Sequence, residues 1–334
     1  MEKKKEIVLS GIRPTGDVHL GNYFGAIMNW VKMQAEFDAY YCIVDWHSLT
    51  THPDTKELRK QVIQLLAILL ASGLDPERCC LYLQSDVPEI AELYLYFNML
   101  AYKGELEKTT TFKEKARSQP NNINAGLLTY PVLQSADILI HKATKVPVGK
   151  DQQQHIEMTR NFAERFNFRY GQVFPLPEAF NYGDQLLKIM SLDGNGKMSK
   201  SENQMNTIYF SDPDDLIEKK IMRAKTDSGP TKPHSARPDY IEGLFTLMKL
   251  VSSTEIVDHF ETAYNQCQIK YGDMKKQLAA DMVRFVAPIR AKAESVQNDS
   301  AFIKSVMEKG AVKARVSASA TLKSVRDAMG LTYY

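Results

Sequence analysis

Two stretches of this chain carry residue types and spacings suited to handling phosphate. The first, Pro14-Thr15-Gly16-Asp17-Val18-His19-Leu20-Gly21-Asn22, lies between an apolar run, Ile7-Val8-Leu9, and a helical pattern that starts at Leu20. A helix N-terminus aims free backbone N–H groups and the positive end of its dipole at whatever docks there, which suits an anion. Gly21 and Gly25 lack side chains, so a nucleotide could lie close against such a helix. The stretch fits neither G-x-G-x-x-G nor the P-loop pattern, and a helix start with small packing residues is its bland alternative. The second stretch is Lys197-Met198-Ser199-Lys200-Ser201, directly after the turn Asp193-Gly194-Asn195-Gly196. Two ammonium groups on one loop can close over a triphosphate and neutralise a departing pyrophosphate. A solvated basic loop is the alternative, but this five-residue string arises by chance in only about one chain of this length in 10,000.

The elements around these stretches read as an α/β sheet. Residues 6–10 predict a buried strand, Leu20 to Phe37 a helix, and Ala39 to Val44 a second strand ending at Asp45. Thr55 to Ser72 predicts a helix, with Asp54 or Thr55 as cap and Leu58, Val62, Leu65, Leu66 and Leu69 on one face. Cys79 to Gln84 is a third strand, and strand–helix alternation with buried strands argues for a parallel sheet. Helical segments near 88–103, 132–142 and 151–166 follow, with a polar stretch from Arg117 to Asn124, and Leu186–Leu192 offers a last strand. After Ser201 the pattern changes. Asp212-Pro213 would open a helix running to about Ala224, the linker Thr226 to Pro238 carries three prolines, and helices follow to the end. The domain boundary is expected near 205–212.

Composition sets outer bounds. The chain has 334 residues, 44% hydrophobic and 25% charged, the balance of a globular protein with an ample core. No run approaches the ~18 apolar residues of a membrane span. Ile7-Val8-Leu9 is too short for a signal-peptide core, so a cytoplasmic protein is expected. Cys42, Cys79, Cys80 and Cys267 form no C-x-x-C pair and no zinc spacing, and reduced, partly buried thiols are expected. Net charge is +2, but residues 275–334 hold eleven Lys/Arg against five Asp/Glu, a local +6 that leaves −4 for the rest. Such a tail suits a polyanion and suits a solvated helix surface equally well.

Taken in order, the two phosphate-handling stretches resemble the signature pair of class I aminoacyl-tRNA synthetases. His19-Leu20-Gly21-Asn22 stands where that family has a His-Ile-Gly-His-like element, and Lys197 to Ser201 matches its Lys-Met-Ser-Lys-Ser loop residue for residue. The resemblance narrows to the bacterial-type tryptophanyl-tRNA synthetase family and runs along nearly the whole chain. Ser10-Gly11-Ile12, Cys42-Ile43-Val44-Asp45 with His47, and Gly104-Glu105-Leu106-Glu107 carry it. So do Phe112-Lys113-Glu114-Lys115, Ala125 to Pro131, Ala136-Asp137-Ile138-Leu139, and Val146 to Gln152 continuing into His155-Ile156-Glu157. Two positions depart from many bacterial members: Arg13 replaces Gln, and Gln134 replaces Met.

The resemblance implies a Rossmann-like parallel-sheet catalytic domain over 1–205, with a helical insertion at about 88–130. It implies an all-helical domain over 206–334 that contacts the anticodon of tRNA(Trp). It implies a homodimer joined through the insertion, where Leu93, Tyr94, Phe97 and Met99 offer apolar surface. Arg13, Pro14, Thr15, Gly21, Asn22, Gly25, Gly149, Lys150, Asp151, Ile189 and the Lys197–Ser201 loop would bind ATP. Asp137 would accept the indole N–H of L-tryptophan, Tyr130 and Gln152 would hold its α-amino group, and His47 would stand at the pocket mouth. Gln134 would lie on the pocket floor and Lys115 near the phosphates. His19, Asn22, Lys197 and Lys200 would be catalytic, with Mg2+ on the leaving group. A free amino-acid carboxylate, with a pKa of ~2–3.5, needs no general base to attack the α-phosphorus. Rival readings are a tyrosine–tRNA ligase, which Gln134 favours, a small-molecule nucleotidyltransferase, and a non-catalytic RNA-binding descendant.

Overall fold

The computed structural model describes residues 5–52, 54–149, 152–182, 189–199 and 203–333. Its centre is a five-stranded parallel sheet in the order β3-β2-β1-β4-β5, with β1 Ile7–Ile12, β2 Asp38–Ile43, β3 Cys80–Leu83, β4 Lys145–Pro147 and β5 Glu178–Phe180. The first three strands match the sequence expectation to within a residue or two. The last expected strand does not: Ile189–Leu192 forms only an isolated bridge, Met190 to Lys197, and residues 183–188 lie outside the described residues. β4 and β5 are three residues each, too short to leave a periodic signal.

Between β1 and β2 the chain runs through α1 (Leu20–Asn22), a π turn (Tyr23–Ile27) and α2 (Met28–Glu36). After β2 come α3 (Asp45–Leu49) and α4 (Leu58–Ala71). The segment between β3 and β4 holds α5 (Glu89–Leu100), α6 (Lys103–Glu107), α7 (Thr110–Ser118) and α8 (Ala125–Ile140). Asn124 caps α8 by accepting from Leu127 N at 2.9 Å, which explains why the polar stretch ends there. α9 (Gln153–Tyr170) leads to β5. Beyond residue 206 the described chain is helical: α10 (Asp214–Met222), α11 (Asp239–Val251), α12 (Thr254–Asn265), α13 (Tyr271–Asn298) and α14 (Ser300–Met329). Pro213 is the N-cap of α10 rather than its first residue.

Strand alternation sorts the core into two clusters, one per sheet face. Val8, Tyr41, Ile43 and Leu81 pack with Leu20, Ile27 and Trp30, with α4, and with Ile221, Phe245, Leu278 and Met282 of the C-terminal helices. Leu9, Tyr40, Cys42 and Tyr82 pack with α5, α8 and α9 on the other face. α14 belongs to both: Ile303 and Val306 join the first cluster, Ala314, Ala318 and Leu322 the second. It crosses the outer edge of β3 at Gly310, where a Cβ would lie 1.9 Å from the Leu81 carbonyl oxygen, so only glycine permits the approach. Three cysteines are buried in this core and Cys267 is exposed. Burial pushes the Cys79 and Cys80 thiols up to about 12.

From β1 the chain moves outward through β2 to β3, and from β3 it returns through α5 to α8 to add β4 on the other side of β1. The strand order therefore reverses between β1 and β4, and ligands of open parallel sheets bind at the carboxyl ends of strands beside such a point.

Candidate active site

After β1 the chain turns tightly, with Thr15 N donating to Arg13 O at 2.9 Å and Gly16 at φ +72°, a left-handed value that favours glycine. Leu20 N then donates to Ile208 O at 3.1 Å, and Phe210 N donates to Val18 O at 3.0 Å. That short antiparallel contact pins His19, which is buried with its ring edge-on to Tyr209. Asn22 Oδ1 accepts from His19 N at 3.3 Å, which anchors the amide side chain at the first helical turn. Gly25 falls in the π turn that follows, a widening of the helix often found beside functional sites.

The second stretch folds over the first. Met198 N donates to Ile189 O at 2.8 Å, and Thr207 Oγ1 donates to Ser199 O at 3.1 Å. A Cβ on Gly21 would lie 2.9 Å from the His19 ring and 3.4 Å from Met198 O, so both stretches meet at a glycine. Gly194, at φ +75°, seats the preceding turn against α11, where a Cβ would come within 2.4 Å of Tyr240. Between the stretches opens a cleft of about 1010 Å³, lined by Arg13, Thr15, His19, Gly21 and Asn22 on one side and Lys197, Met198 and Ser199 on the other. Pro14 and Ile189 are buried behind the cleft, and Gly149 accepts from Gln152 N at 3.0 Å at the end of β4. Lys150, Asp151, Lys200 and Ser201 lie outside the described residues.

The second half of the site is a buried polar cluster at the ends of β2, β3 and α8. Asp137, 3% exposed, has its Oδ2 2.8 Å from His47 Nε2, while its Oδ1 accepts from Gln84 Nε2 at 2.7 Å. Tyr130 Oη lies 2.8 Å from His155 Nε2, and the His47 and Tyr130 rings are 6.4 Å apart, edge to face. His47, 9% exposed, is thus a direct partner of Asp137. Gln134 is half-buried one helical turn before Asp137, and Gln152 is half-buried at the start of α9.

Arg13 and Lys115 join the two halves. The Lys115 ammonium lies 4.7 Å from the centre of the Tyr130 ring. Burial, aided by the positive charge of Arg13, holds the Lys115 pKa down at about 8. Burial likewise lowers the Arg13 guanidinium, partly offset by Tyr130. Arg13 on the cleft wall and Lys115 over the Tyr130 ring thus set two positive charges where the cleft adjoins the buried cluster, an arrangement suited to an anion.

The sequence reading missed Gln84, whose only signal is its place at the carboxyl end of a strand. It missed Tyr209, Asp212 and Lys220 on the far cleft wall, where Lys220, buried, donates to Asp212 Oδ2 at 2.6 Å. Leu93 and Phe97, expected on an outer surface, point into the core instead, and Leu95 and Met99 are the exposed apolar residues of α5. The basic tail is largely matched from within: Lys309 pairs with Glu77 at 2.7 Å, Arg315 with Glu89 at 3.6 Å, and Arg326 with Glu92.

Over residues 1–287 the chain matches the tRNA synthetases class I (W and Y). It is 56% identical over 326 residues to the tryptophan–tRNA ligase of Porphyromonas gingivalis, covering 97% of this chain and 99% of that one. Its identity to the tryptophan–tRNA ligase of Clostridium acetobutylicum is 39% over 333 residues, covering 99% and 98% of the two chains. The crystal structure of tryptophanyl-tRNA synthetase from Campylobacter jejuni, complexed with ADP and tryptophan, shares its fold at a TM-score of 0.86 and 32% identity, over 97% of this chain and 99% of the other.

Proposed function

The chain belongs to the class I tRNA synthetases of the tryptophan and tyrosine group, and from its paired sites we infer that it is a tryptophan–tRNA ligase. It activates L-tryptophan with ATP and transfers the aminoacyl group to tRNA(Trp). The observation that carries the residue-level reading is the buried Asp137 beside the phosphate-suited cleft. Its carboxylate, already accepting from Gln84, is an acceptor set in a buried polar cluster, which suits the single N–H of an indole ring.

The tryptophan carboxylate attacks the α-phosphorus in line and expels pyrophosphate, so the protein must position the reactants and stabilise phosphate charge. We assign Asn22, His19 and the helix start behind them to the α-phosphate side, and Lys197 and Lys200 to the leaving group. Arg13, Pro14, Thr15, Gly21, Gly25, Gly149, Lys150, Asp151, Ile189 and Met198 to Ser201 are assigned to ATP. Asp137, Tyr130, Gln152, Gln134 and His47 are assigned to tryptophan, with Lys115 facing the phosphates where the halves meet. A ribose hydroxyl of the tRNA end then attacks the adenylate carbonyl, displacing AMP. Among the described residues no group of three or more His, Cys, Asp or Glu could hold a metal ion. The Mg2+ proposed here would enter with the triphosphate and would neutralise charge on the leaving group beside Lys197 and Lys200.

Residues 1–205 are assigned as the catalytic domain, with the insertion at 88–130, and 206–334 as the part that meets the anticodon. A homodimer through the insertion is supported by Leu95 and Met99, 51% and 70% exposed and one turn apart on α5, with Tyr102 beside them at 61%. Sedimentation tests that assembly. A cytoplasmic site of action rests on where charged tRNA is consumed, and cell fractionation tests it. ATP–pyrophosphate exchange with each amino acid in turn is the main experiment. Exchange should respond to tryptophan and hardly to tyrosine, and equal exchange with tyrosine would transfer the assignment to the tyrosine branch, with Gln134 as the cause.

A further inference from the structure

We propose that Gln84 is a positioning residue for indole recognition, locking the rotation of the Asp137 carboxylate so that its free lone pair can point only at the substrate. Gln84 is fully buried and sits where β3 ends. Its Nε2 donates to Asp137 Oδ1 at 2.7 Å, and its Oε1 accepts from the His47 backbone N–H at 3.4 Å. The reversed amide would set an oxygen 2.7 Å from a carboxylate oxygen and two N–H groups against each other, so only this orientation satisfies both contacts. Its backbone is braced as well. Asp45 Oδ1, at the end of β2, accepts from Ser85 N at 3.1 Å and from Trp46 N at 3.1 Å, which ties the ends of the two strands together.

The proposal rests on the reading of Asp137 as the indole acceptor and adds a reason for its selectivity. A carboxylate offers about four acceptor directions. Gln84 takes one on Oδ1, and His47 Nε2 stands at hydrogen-bond distance from Oδ2, so turning the group about its terminal bond breaks a contact on each side. A site rejects an analogue lacking the donor because a buried polar group is then left unpaired. That penalty vanishes if the carboxylate can swing to share both oxygens with His47. Gln84 forbids the swing, so phenylalanine meets the full cost of an unpaired acceptor. From β2 and β3, Cys42 and Tyr82 also face this carboxylate, and burial together with Asp137 pushes both well above their ordinary values, so they stay neutral.

The test compares Gln84→Leu and Gln84→Glu with the wild-type protein by ATP–pyrophosphate exchange, using tryptophan and phenylalanine from about pH 6 to 9. Gln84→Leu should raise KM for tryptophan on the order of ten- to a hundredfold, the worth of one charge-assisted bond. Its kcat and its KM for ATP should hold, and the tryptophan-over-phenylalanine ratio of kcat/KM should fall by a similar factor. Gln84→Glu sets two carboxyl groups at one site, which must share a proton. Its KM for tryptophan should therefore climb with pH more steeply than in wild type and recover at the acid end. A merely structural residue would not produce that profile, and it decides the matter if Gln84→Leu does not fold. A folded Gln84→Leu with an unaltered ratio, or a Gln84→Glu profile parallel to wild type, overturns the proposal. Asp137→Ala, run alongside, separates the two claims. If it lowers the ratio while the Gln84 variants do not, only the role of Gln84 fails, and if it too leaves the ratio unchanged, the indole acceptor itself was misassigned.

Discussion

The pocket around Asp137 and the cleft around His19 meet at Arg13 and Lys115, and they prepare for their ligands in opposite ways. Asp137, His47 and Gln84 are all at most 9% exposed, and they hold one another through direct contacts. Lys197 is exposed and Arg13 reaches solvent at its edge, on the two walls of a 1010 Å³ cleft, carrying charge suited to a phosphate. On the proposed assignment, the cluster would choose among amino acids that differ by one hydrogen-bond donor and a ring, for which a rigid, dry acceptor is suited. The cleft would follow a triphosphate whose charge moves during the reaction, for which exposed cations on a loop are suited. That assignment houses selectivity and rate in different kinds of structure within one site.

The contrast breaks first, if it breaks, at Asp137. Asp137→Ala should erode discrimination of tryptophan over phenylalanine by as much as ~10⁴ while leaving the KM for ATP near its wild-type value. Asp137→Asn should be milder, since its amide oxygen still accepts. Loss of ATP binding in either variant would mean that pocket and cleft are one unit. On the cleft side, Lys197→Ala should slow adenylate formation by roughly 10²–10³ with little change in tryptophan affinity. Wild-type turnover in that variant would remove the loop from the chemistry. The smallest effect is at the junction. Burial and Arg13 hold the Lys115 pKa down at about 8, so above that pH binding of ATP beside it would be accompanied by uptake of a proton by Lys115. ATP affinity should fall as pH rises from 8 to 9.5, by at most about tenfold per unit for one linked proton. Lys115→Arg, permanently charged, should flatten that slope, and an unchanged slope would place Lys115 away from the phosphates.

The same contrast decides what the sequence disclosed. The cleft was legible because phosphate binding draws on contiguous residues: a helix start at His19 to Asn22 and one loop from Lys197. Three strands and most long helices were legible from periodicity, since each spans enough residues to show a face. The pocket was less so. Asp137 was identified by resemblance, but Gln84 lies 53 positions away at the end of β3, and only the packing of α8 against the sheet brings the two together. β4 and β5 were missed because three residues cannot show alternation. The surplus of positive charge near the end of the chain left a polyanion site and a solvated surface equally open, and Lys309 meets Glu77 across 232 positions. A local charge count cannot see that pairing. Leu93 and Phe97 read as surface because α5 is apolar almost all round, which leaves no pattern to say which side is inward.

The crossing of α14 over β3 has a consequence for the way the chain is made. During synthesis β3 leaves the ribosome some 230 residues before Gly310 does, so its outer edge carries unsatisfied N–H and C=O groups through most of translation. A chain that stalls, or is cut, ahead of Gly310 would hold a nearly complete sheet with a bare edge ready to pair with another nascent copy. The last long helix is thus the last to cover the edge: until it docks, a sheet that is otherwise assembled would stay open on one side.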